Sequence, residues 1–164
     1  MSHESSSGDE KSDMIPEPVA APSKQETLEA YNSIIERADL LDIRLMDLKF
    51  NVKHQYYAAI AKGDDDLQHA FENDLAEMTY DAPSGLLMGN FRWVTKVTKG
   101  KKKLLEIDAK FYATYHGVPD VDQVHMDAFL RRVGKFATYP YFRGVVSRLS
   151  WESHAELPIM PVLK

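Results

Sequence analysis

The sequence predicts an α+β fold in which helices cover one face of an antiparallel sheet. Apolar residues alternate with polar ones in three stretches, at about 41–57, 87–98 and 102–116, as expected for half-buried strands. Helical spacing of apolar residues dominates on either side of them, at 24–38 and again from Pro140. This order of patterns favours a single α+β domain.

Composition limits the class of protein. The 164 residues are 44% hydrophobic and 27% charged, which suits one domain, expected at 23–164, with some unstructured chain. Residues 1–22 are rich in Ser, Pro and acidic side chains and are expected to form a disordered arm. No apolar run approaches the roughly 18 residues of a membrane helix, and the polar N-terminus lacks the apolar segment of a secretory signal.

Charge and cysteine content add two further expectations. The net charge of −5 argues against nucleic acid as a partner, because nucleic-acid binders usually present a basic face. The absence of cysteine excludes disulfides and is compatible with the cytoplasm, which is the expected location.

The first two elements follow from local patterns. Ser23 and Glu26 form a capping box at the start of the helix predicted at 24–38. In the strand predicted at 41–57 the apolar phase changes at Met46-Asp47, which indicates a β-bulge.

The next stretch has two interpretations. Leu67, Phe71, Leu75 and Met78 have helical spacing and predict a helix at 65–78, with an irregular strand as the alternative. Asp64-Asp65-Asp66 before it lack the alternating ligand spacing of a calcium loop.

A hairpin is predicted around Lys99-Gly100, joining the strands at 87–98 and 102–116. One face of each strand is apolar and faces inward; these residues are Phe91, Trp93, Thr95, Val97, Leu105, Ile107, Ala109, Phe111, Ala113 and Tyr115. Lysines surround the tip at positions 96, 99, 101, 102 and 103. They indicate either a solvated tip that protects a sheet edge, which we favour, or a site for an anionic partner.

The C-terminal part is predicted to contain two helices and an apolar tail. Asp120 caps a helix that breaks at Gly134, and a second helix begins at Pro140, where a missing N–H has no cost. Phe142, Val145, Val146 and Leu149 share one face of that second helix. The tail, Leu157-Pro158-Ile159-Met160-Pro161-Val162-Leu163, is kept extended by its prolines.

The motifs of common enzymes and metal sites are absent. No His pair has a recognised metal spacing, and the sequence has no phosphate loop, dinucleotide fingerprint, serine elbow or cysteine nucleophile. We therefore expect no metal, no cofactor and no catalytic residue, although a cleft enzyme remains as an alternative.

These features together resemble the SecB protein-export chaperones and the broader SecB-like family. The resemblance rests on the strand from Leu105 to Gly117, on the helix that follows with Val145, Val146 and Leu149, and on the tail. The motif that starts this helix is Tyr139-Pro140-Tyr141-Phe142-Arg143. The match is good over 86–164 and extends to a core at 41–164, with the helix at 24–38 as an addition.

The resemblance implies a sheet of about four antiparallel strands with helices packed on one face, assembled as a dimer of dimers, that is, a tetramer. It implies an ATP-independent chaperone, or holdase, that binds unfolded polypeptides in hydrophobic grooves for preprotein export or for one dedicated client. Weak apolar contacts would act together through avidity. The residues expected to contact clients or subunits are Phe142, Val146, Leu149, Trp151, Leu157, Ile159 and Met160.

Within that set, Val146 and Leu149 are better explained by packing, and Trp151 and Met160 by client contact. SecB engages the motor protein SecA through an acidic sheet surface and a C-terminal tail. Here the hairpin tip is basic and the sequence ends at Lys164; these departures count against SecA as a partner without excluding it. Two other roles stay open, namely a chaperone dedicated to an antitoxin and an assembly protein that uses its apolar C-terminus only to form oligomers.

Overall fold

The computed structural model describes residues 20–157, 160, 161 and 163, and it contains one four-stranded sheet with helices. All neighbouring strands are antiparallel, in the order β1-β4-β3-β2. In chain order the elements are α1 (Lys24–Arg37), β1 (Asp39–Val52), α2 (His54–Ala61), β2 (Leu67–Asp81), β3 (Leu86–Lys99), β4 (Lys102–His116), α3 (Gln123–Phe129), a π-helical turn (Leu130–Gly134) and α4 (Lys135–Ser153). The predicted α+β class with a four-stranded sheet is confirmed.

Helix α1 begins with the capping box that the sequence indicates. The Ser23 hydroxyl accepts a hydrogen bond from the Glu26 N–H at 3.2 Å, and the Ser23 N–H donates to the Glu26 carboxylate at 2.7 Å. These bonds favour the charged carboxylate, so the pKa of Glu26 lies below its ordinary value. Ile34 is fully buried and fixes α1 on the core. Of the predicted arm at 1–22, only residues 20–22 are described; they are exposed and have no regular structure.

Strand β1 contains the predicted bulge. The register with β4 shifts between Leu45 and Asp47, so Leu45 pairs with Phe111 and Leu48 pairs with Ala109 on the same face of the sheet. The predicted end of the strand at 57 is wrong, because the strand stops at Val52 and α2 follows.

The helix predicted at 65–78 is wrong, and the alternative of an irregular strand is right. Residues 67–81 form β2, which pairs with β3 along its whole length. A register shift between Leu75 and Glu77 accounts for the misleading spacing. Phe71 and Leu75 share a face at period two, and the extra residue then brings Met78 onto that face.

The hairpin of β3 and β4 forms the centre of the sheet, with the predicted inward residues buried. Its other face is polar. There Arg92 makes two parallel hydrogen bonds to Asp108, with Nη2 to Oδ2 at 2.6 Å and Nε to Oδ1 at 3.0 Å. The guanidinium holds the pKa of Asp108 below its ordinary value. Helices α3 and α4 pack on the apolar face.

The two predicted C-terminal helices are one continuous helix with a π-helical turn, so the break at Gly134 and the start at Pro140 are both wrong. Pro140 lies inside α4. The Thr138 hydroxyl donates to the Gly134 carbonyl at 3.0 Å and accepts from Trp93 Nε1 at 3.0 Å. The hydrogen bond from Trp93 on the sheet to Thr138 therefore fixes α4 just before Pro140. A Cβ on Gly134 would lie 2.4 Å from Phe91 Cζ, so any larger residue here would force the buried Phe91 ring to move.

Candidate functional site

An aromatic cluster fixes α4 on the sheet. The Trp93 ring lies 5.3 Å from Tyr139 and 5.9 Å from Phe142, and Phe71 stacks on Trp93 at 5.6 Å. Phe142 is fully buried and Tyr139 is 7% exposed. Two residues of the predicted motif are therefore core residues that set the position of the helix.

After α4 the chain reverses and runs back along the same helix. His154 has a left-handed backbone with φ 53°, which ends α4. The Tyr56 hydroxyl donates to the Glu156 carbonyl at 2.6 Å, and the Ser150 hydroxyl donates to the Ala155 carbonyl at 2.6 Å. Further along, the Tyr139 hydroxyl donates to the Pro161 carbonyl. The described residues of this returning segment, 155–157, 160 and 161, are thus held by α2 and α4.

A groove opens between α4 and this returning segment. It encloses about 210 Å³ and is lined by Arg143, Val146, Ser147, Ser150, Trp151, Leu157 and Met160. Trp151 is the dominant feature, because 80% of its surface is exposed. A large aromatic side chain with no cover, at the mouth of a partly apolar groove, is suited to contact another polypeptide.

The predicted site residues fall into three groups in the structure. Phe142, Val146 and Met160 are buried, although Val146 and Met160 also form the floor of the groove. Leu149 and Leu157 are partly buried against the core. Trp151 is exposed, as are Pro140, Tyr141 and Arg143 of the motif, and Ile159 lies outside the described residues.

A second apolar surface, which we call the β1 strip, was not predicted from the sequence. It consists of Leu40, Leu45 and Leu48 on the helix side of the sheet, with 45%, 45% and 38% of their surfaces exposed. Leu41 and Met46, at the two register shifts, are 58% and 55% exposed. Strand β1 is also a sheet edge, and an apolar edge strand readily associates with other chains. The sequence signal that could have identified it is the density of leucines in this strand, but its edge position comes only from the sheet order.

A third exposed surface follows the outer side of α4, and we call it the α4 face. Tyr141, Gly144, Arg148 and Trp151 are spaced by three, four and three residues, so they share one side of the helix, and all are exposed. No heavy atom lies within 4 Å of a Cβ built on Gly144. The backbone at Gly144 is therefore open to close approach by another helix.

The titratable groups with displaced pKa values do not form a catalytic constellation in the part of the chain that is described. Asp64 and Asp108 have lowered pKa values because Lys99 and Arg92 donate hydrogen bonds to them. Burial raises the pKa of Tyr115 to about 12 and raises the pKa of Tyr139. Among the described residues, no group of three or more His, Asp or Glu side chains is arranged to hold a metal ion.

Within the described ranges, no helix is both long enough and apolar enough to cross a bilayer.

Comparison with known proteins supports the fold. No family model and no curated protein matches the sequence. Among solved structures, a SecB-like chaperone of Mycobacterium tuberculosis, in complex with a ChAD peptide from the HigA1 antitoxin, matches with a TM-score of 0.67 and 19% identity. The match covers 83% of this chain and 97% of that one. The chain therefore has the SecB-like fold that the sequence resemblance predicts.

A second solved structure is much less similar. It is a protein of unknown function from Streptococcus agalactiae, with a TM-score of 0.32 and 8% identity, covering 77% of this chain and 97% of that one. A similarity at this level supports no functional argument.

Proposed function

We propose that this protein is an ATP-independent chaperone that holds non-native polypeptides on exposed apolar surfaces, without catalysis. The observation that carries the proposal is Trp151, which is 80% exposed at the mouth of the groove between α4 and the returning segment. A structural core residue of this size would be covered, and Trp93 in the same chain is 1% exposed. The SecB-like chaperone of similar fold, solved with an antitoxin peptide, supports a polypeptide ligand.

The proposed client contacts are the groove and the β1 strip. An unfolded chain presents apolar side chains at many places along its length, so it can occupy both surfaces at once. Each large side chain that becomes buried contributes about 1.5–3 kcal/mol before ordering costs. Several such weak contacts hold a client by avidity and still release it.

We also propose that the protein forms an oligomer through the part of the α4 face that precedes Trp151, at Tyr141, Gly144 and Arg148, so that Trp151 stays available to clients. Tyr141 is 51% exposed, and Gly144 beside it leaves the helix backbone accessible. A second copy of α4 can therefore approach closely, and pairing of dimers would place four sets of client surfaces in one particle.

Two kinds of client fit this proposal. Export clients and a single dedicated client, such as an antitoxin, would both be held by apolar contacts in the cytoplasm. We favour a role independent of SecA, because the described outer face of the sheet carries mixed charge. Arg92 pairs with Asp108 and Lys96 pairs with Glu72 at 2.5 Å, so this face is not uniformly acidic.

Trp151 also serves as a reporter for client binding. Adding a chemically unfolded, tryptophan-free client should shift the tryptophan emission to shorter wavelength and reduce its quenching by acrylamide. The Trp151→Phe variant should show no shift, because Trp93 is shielded already. The same client in its native state is the control.

The energetic contribution of Trp151 is measured with a second substitution. Trp151→Ser should weaken client binding by about tenfold or more, since about 1.5–3 kcal/mol of apolar burial is lost. Leu28→Ser is the matched control, because Leu28 is 59% exposed on α1, away from the groove. Equal weakening by both substitutions, or an emission shift that persists in Trp151→Phe, would contradict the assignment of the groove.

A main alternative is an assembly protein that uses its apolar surfaces only to build an oligomer. The exposed α4 face is the observation that favours it. A hydrophobic dye distinguishes the two, because a holdase binds the dye reversibly in its assembled state and a purely structural oligomer does not.

A further inference from the structure

A basic pocket lies at the end of the sheet, between α2 and the tip of the β3–β4 hairpin. It encloses about 800 Å³ and is lined by Lys53, Gln55, Ala58, Ala59, Lys62, Asp64, Lys99, Lys101, Lys102 and Leu104. Five lysines and one aspartate line it, which gives a formal net charge of +5 − 1 = +4. The whole chain has a net charge of −5, so the pocket is positively charged in a chain whose overall charge is negative.

The lysines of the pocket are largely available to a ligand. Lys99 is paired with Asp64 and lies near Asp66. Among the described residues, no carboxylate lies within 4 Å of the ammonium groups of Lys53, Lys62, Lys101 and Lys102, all of which are exposed residues. Lysines that only protect a sheet edge would lie along one strand. These lysines come from three separate segments of the chain and surround one concavity.

The start of α2 adds a second source of positive potential to the same pocket. Lys53 occupies the N-cap position without a side-chain capping bond, and the first turn of α2 has no acidic residue. The first backbone N–H groups of a helix attract anions. Lys53 and Gln55 line the pocket, and Ala58, Ala59 and Lys62 continue the lining along the rest of α2. The start of the helix therefore lies at one side of the pocket.

The floor of the pocket is apolar. Ala59 is 6% exposed and Leu104 is 3% exposed, and both contribute to the lining together with Ala58. The Lys53 N–H donates to the Leu104 carbonyl at 2.9 Å, which fixes α2 on the hairpin. The pocket therefore combines a small apolar base with a rim of ammonium groups.

We propose that this pocket binds an acidic segment of a partner polypeptide, with its carboxylates on the lysine rim and a small apolar side chain on the alanine and leucine floor. Charge complementarity selects the partner, and the apolar floor favours a peptide over a nucleic acid. No aromatic side chain lines the pocket, so stacking of unpaired bases has no platform there. The pocket has no residue in common with the groove at Trp151, and partner binding is therefore separate from client holding.

The test uses the full chain and a fluorescein-labelled peptide of Glu, Leu and Ala, followed by fluorescence anisotropy. The Glu peptide should bind, and binding should weaken as salt is raised, because screening acts on exposed charges. The double substitution Lys62→Glu and Lys101→Glu should weaken binding by about tenfold or more. The matched control is Lys24→Glu, an exposed lysine on α1 outside the pocket, which should bind the peptide normally.

Three results would overturn the proposal. The first is equal binding of the matched peptide in which Gln replaces Glu. The second is competition by single-stranded DNA as effective as that by the Glu peptide, which would indicate a general polyanion site. The third is binding that appears only when Glu4, Asp9, Glu10, Asp13 and Glu17 are replaced by amides, which would make the N-terminal residues of the chain itself the occupant.

Client holding is measured on the same variants. The double substitution should suppress aggregation as well as the wild-type chain does. If the peptide does not bind but the protein still suppresses aggregation, only the pocket proposal is rejected. If the peptide binds but aggregation is not suppressed, only the chaperone proposal is rejected.

Discussion

Replacing Phe142 with Ala should destabilise the protein by about 3–5 kcal/mol, the usual cost of removing a buried phenylalanine side chain. Phe142 is 0% exposed and lies 5.9 Å from the Trp93 ring and 6.3 Å from the Phe71 ring. Truncation leaves a cavity at the point where α4 packs on the sheet. Urea unfolding followed by circular dichroism measures the change in the free energy of unfolding.

Phe136→Ala on the same helix is the matched control. Phe136 is 47% exposed, so its truncation should change the free energy of unfolding by no more than about 0.5 kcal/mol. If Phe142→Ala instead kept wild-type stability and lost client binding, Phe142 would be a surface contact and the packing of α4 described above would be wrong.

Replacing Gly117 with Ala should cost about 2–5 kcal/mol of stability. Gly117 has φ 73°, and a Cβ there would lie 2.6 Å from the Arg37 carbonyl oxygen. The left-handed backbone contributes about 1–2 kcal/mol, and overpacking against a fixed backbone atom contributes about 1–3 kcal/mol. Thermal and urea unfolding of the variant provide the measurement.

Gly100→Ala separates these two contributions. Gly100 has φ 58°, and no heavy atom lies within 4 Å of a Cβ built there. It should therefore lose only the backbone contribution. Equal losses for both glycines would show that the end of α1 does not pack on Gly117 in solution.

Period-two patterns allowed the strands to be predicted where a single face is buried. The phase change at Met46-Asp47 was enough to predict the bulge, because apolar residues on both sides of it had to share one face; these are Ile43, Leu45, Leu48, Phe50 and Val52. The same reasoning misled at 65–78, where two steps of four residues fit a strand and a helix equally well. Only pairing with β3 along its length decides between them, and that information is not local.

Two other differences have physical causes that local rules do not contain. Pro140 was assigned to a first helical turn because a proline there loses no hydrogen bond. The helix continues through it because Thr138, Tyr139 and Phe142 anchor both sides of it to Trp93. Helix α2 was read as the end of a strand because its four buried or half-buried residues, Tyr56, Tyr57, Ala59 and Ile60, are too few to establish a period.

The site was less predictable than the fold. Trp151 and Met160 looked equivalent in sequence, since both are large apolar residues near the end of the chain. The left-handed turn at His154 sends the chain back along α4, which buries Met160 and leaves Trp151 uncovered. Which of the two is accessible depends on where the returning segment lies, and no local pattern specifies that.

The measurement that most directly tests the chaperone proposal is suppression of aggregation. A client unfolded in denaturant is diluted into buffer without ATP, with increasing amounts of this protein, and light scattering is recorded. We expect scattering to fall in proportion to the protein added, and to fall less with Trp151→Ser. Scattering that stays unchanged with several unrelated clients would contradict general holding and leave a SecB-like fold with one dedicated partner or a structural role.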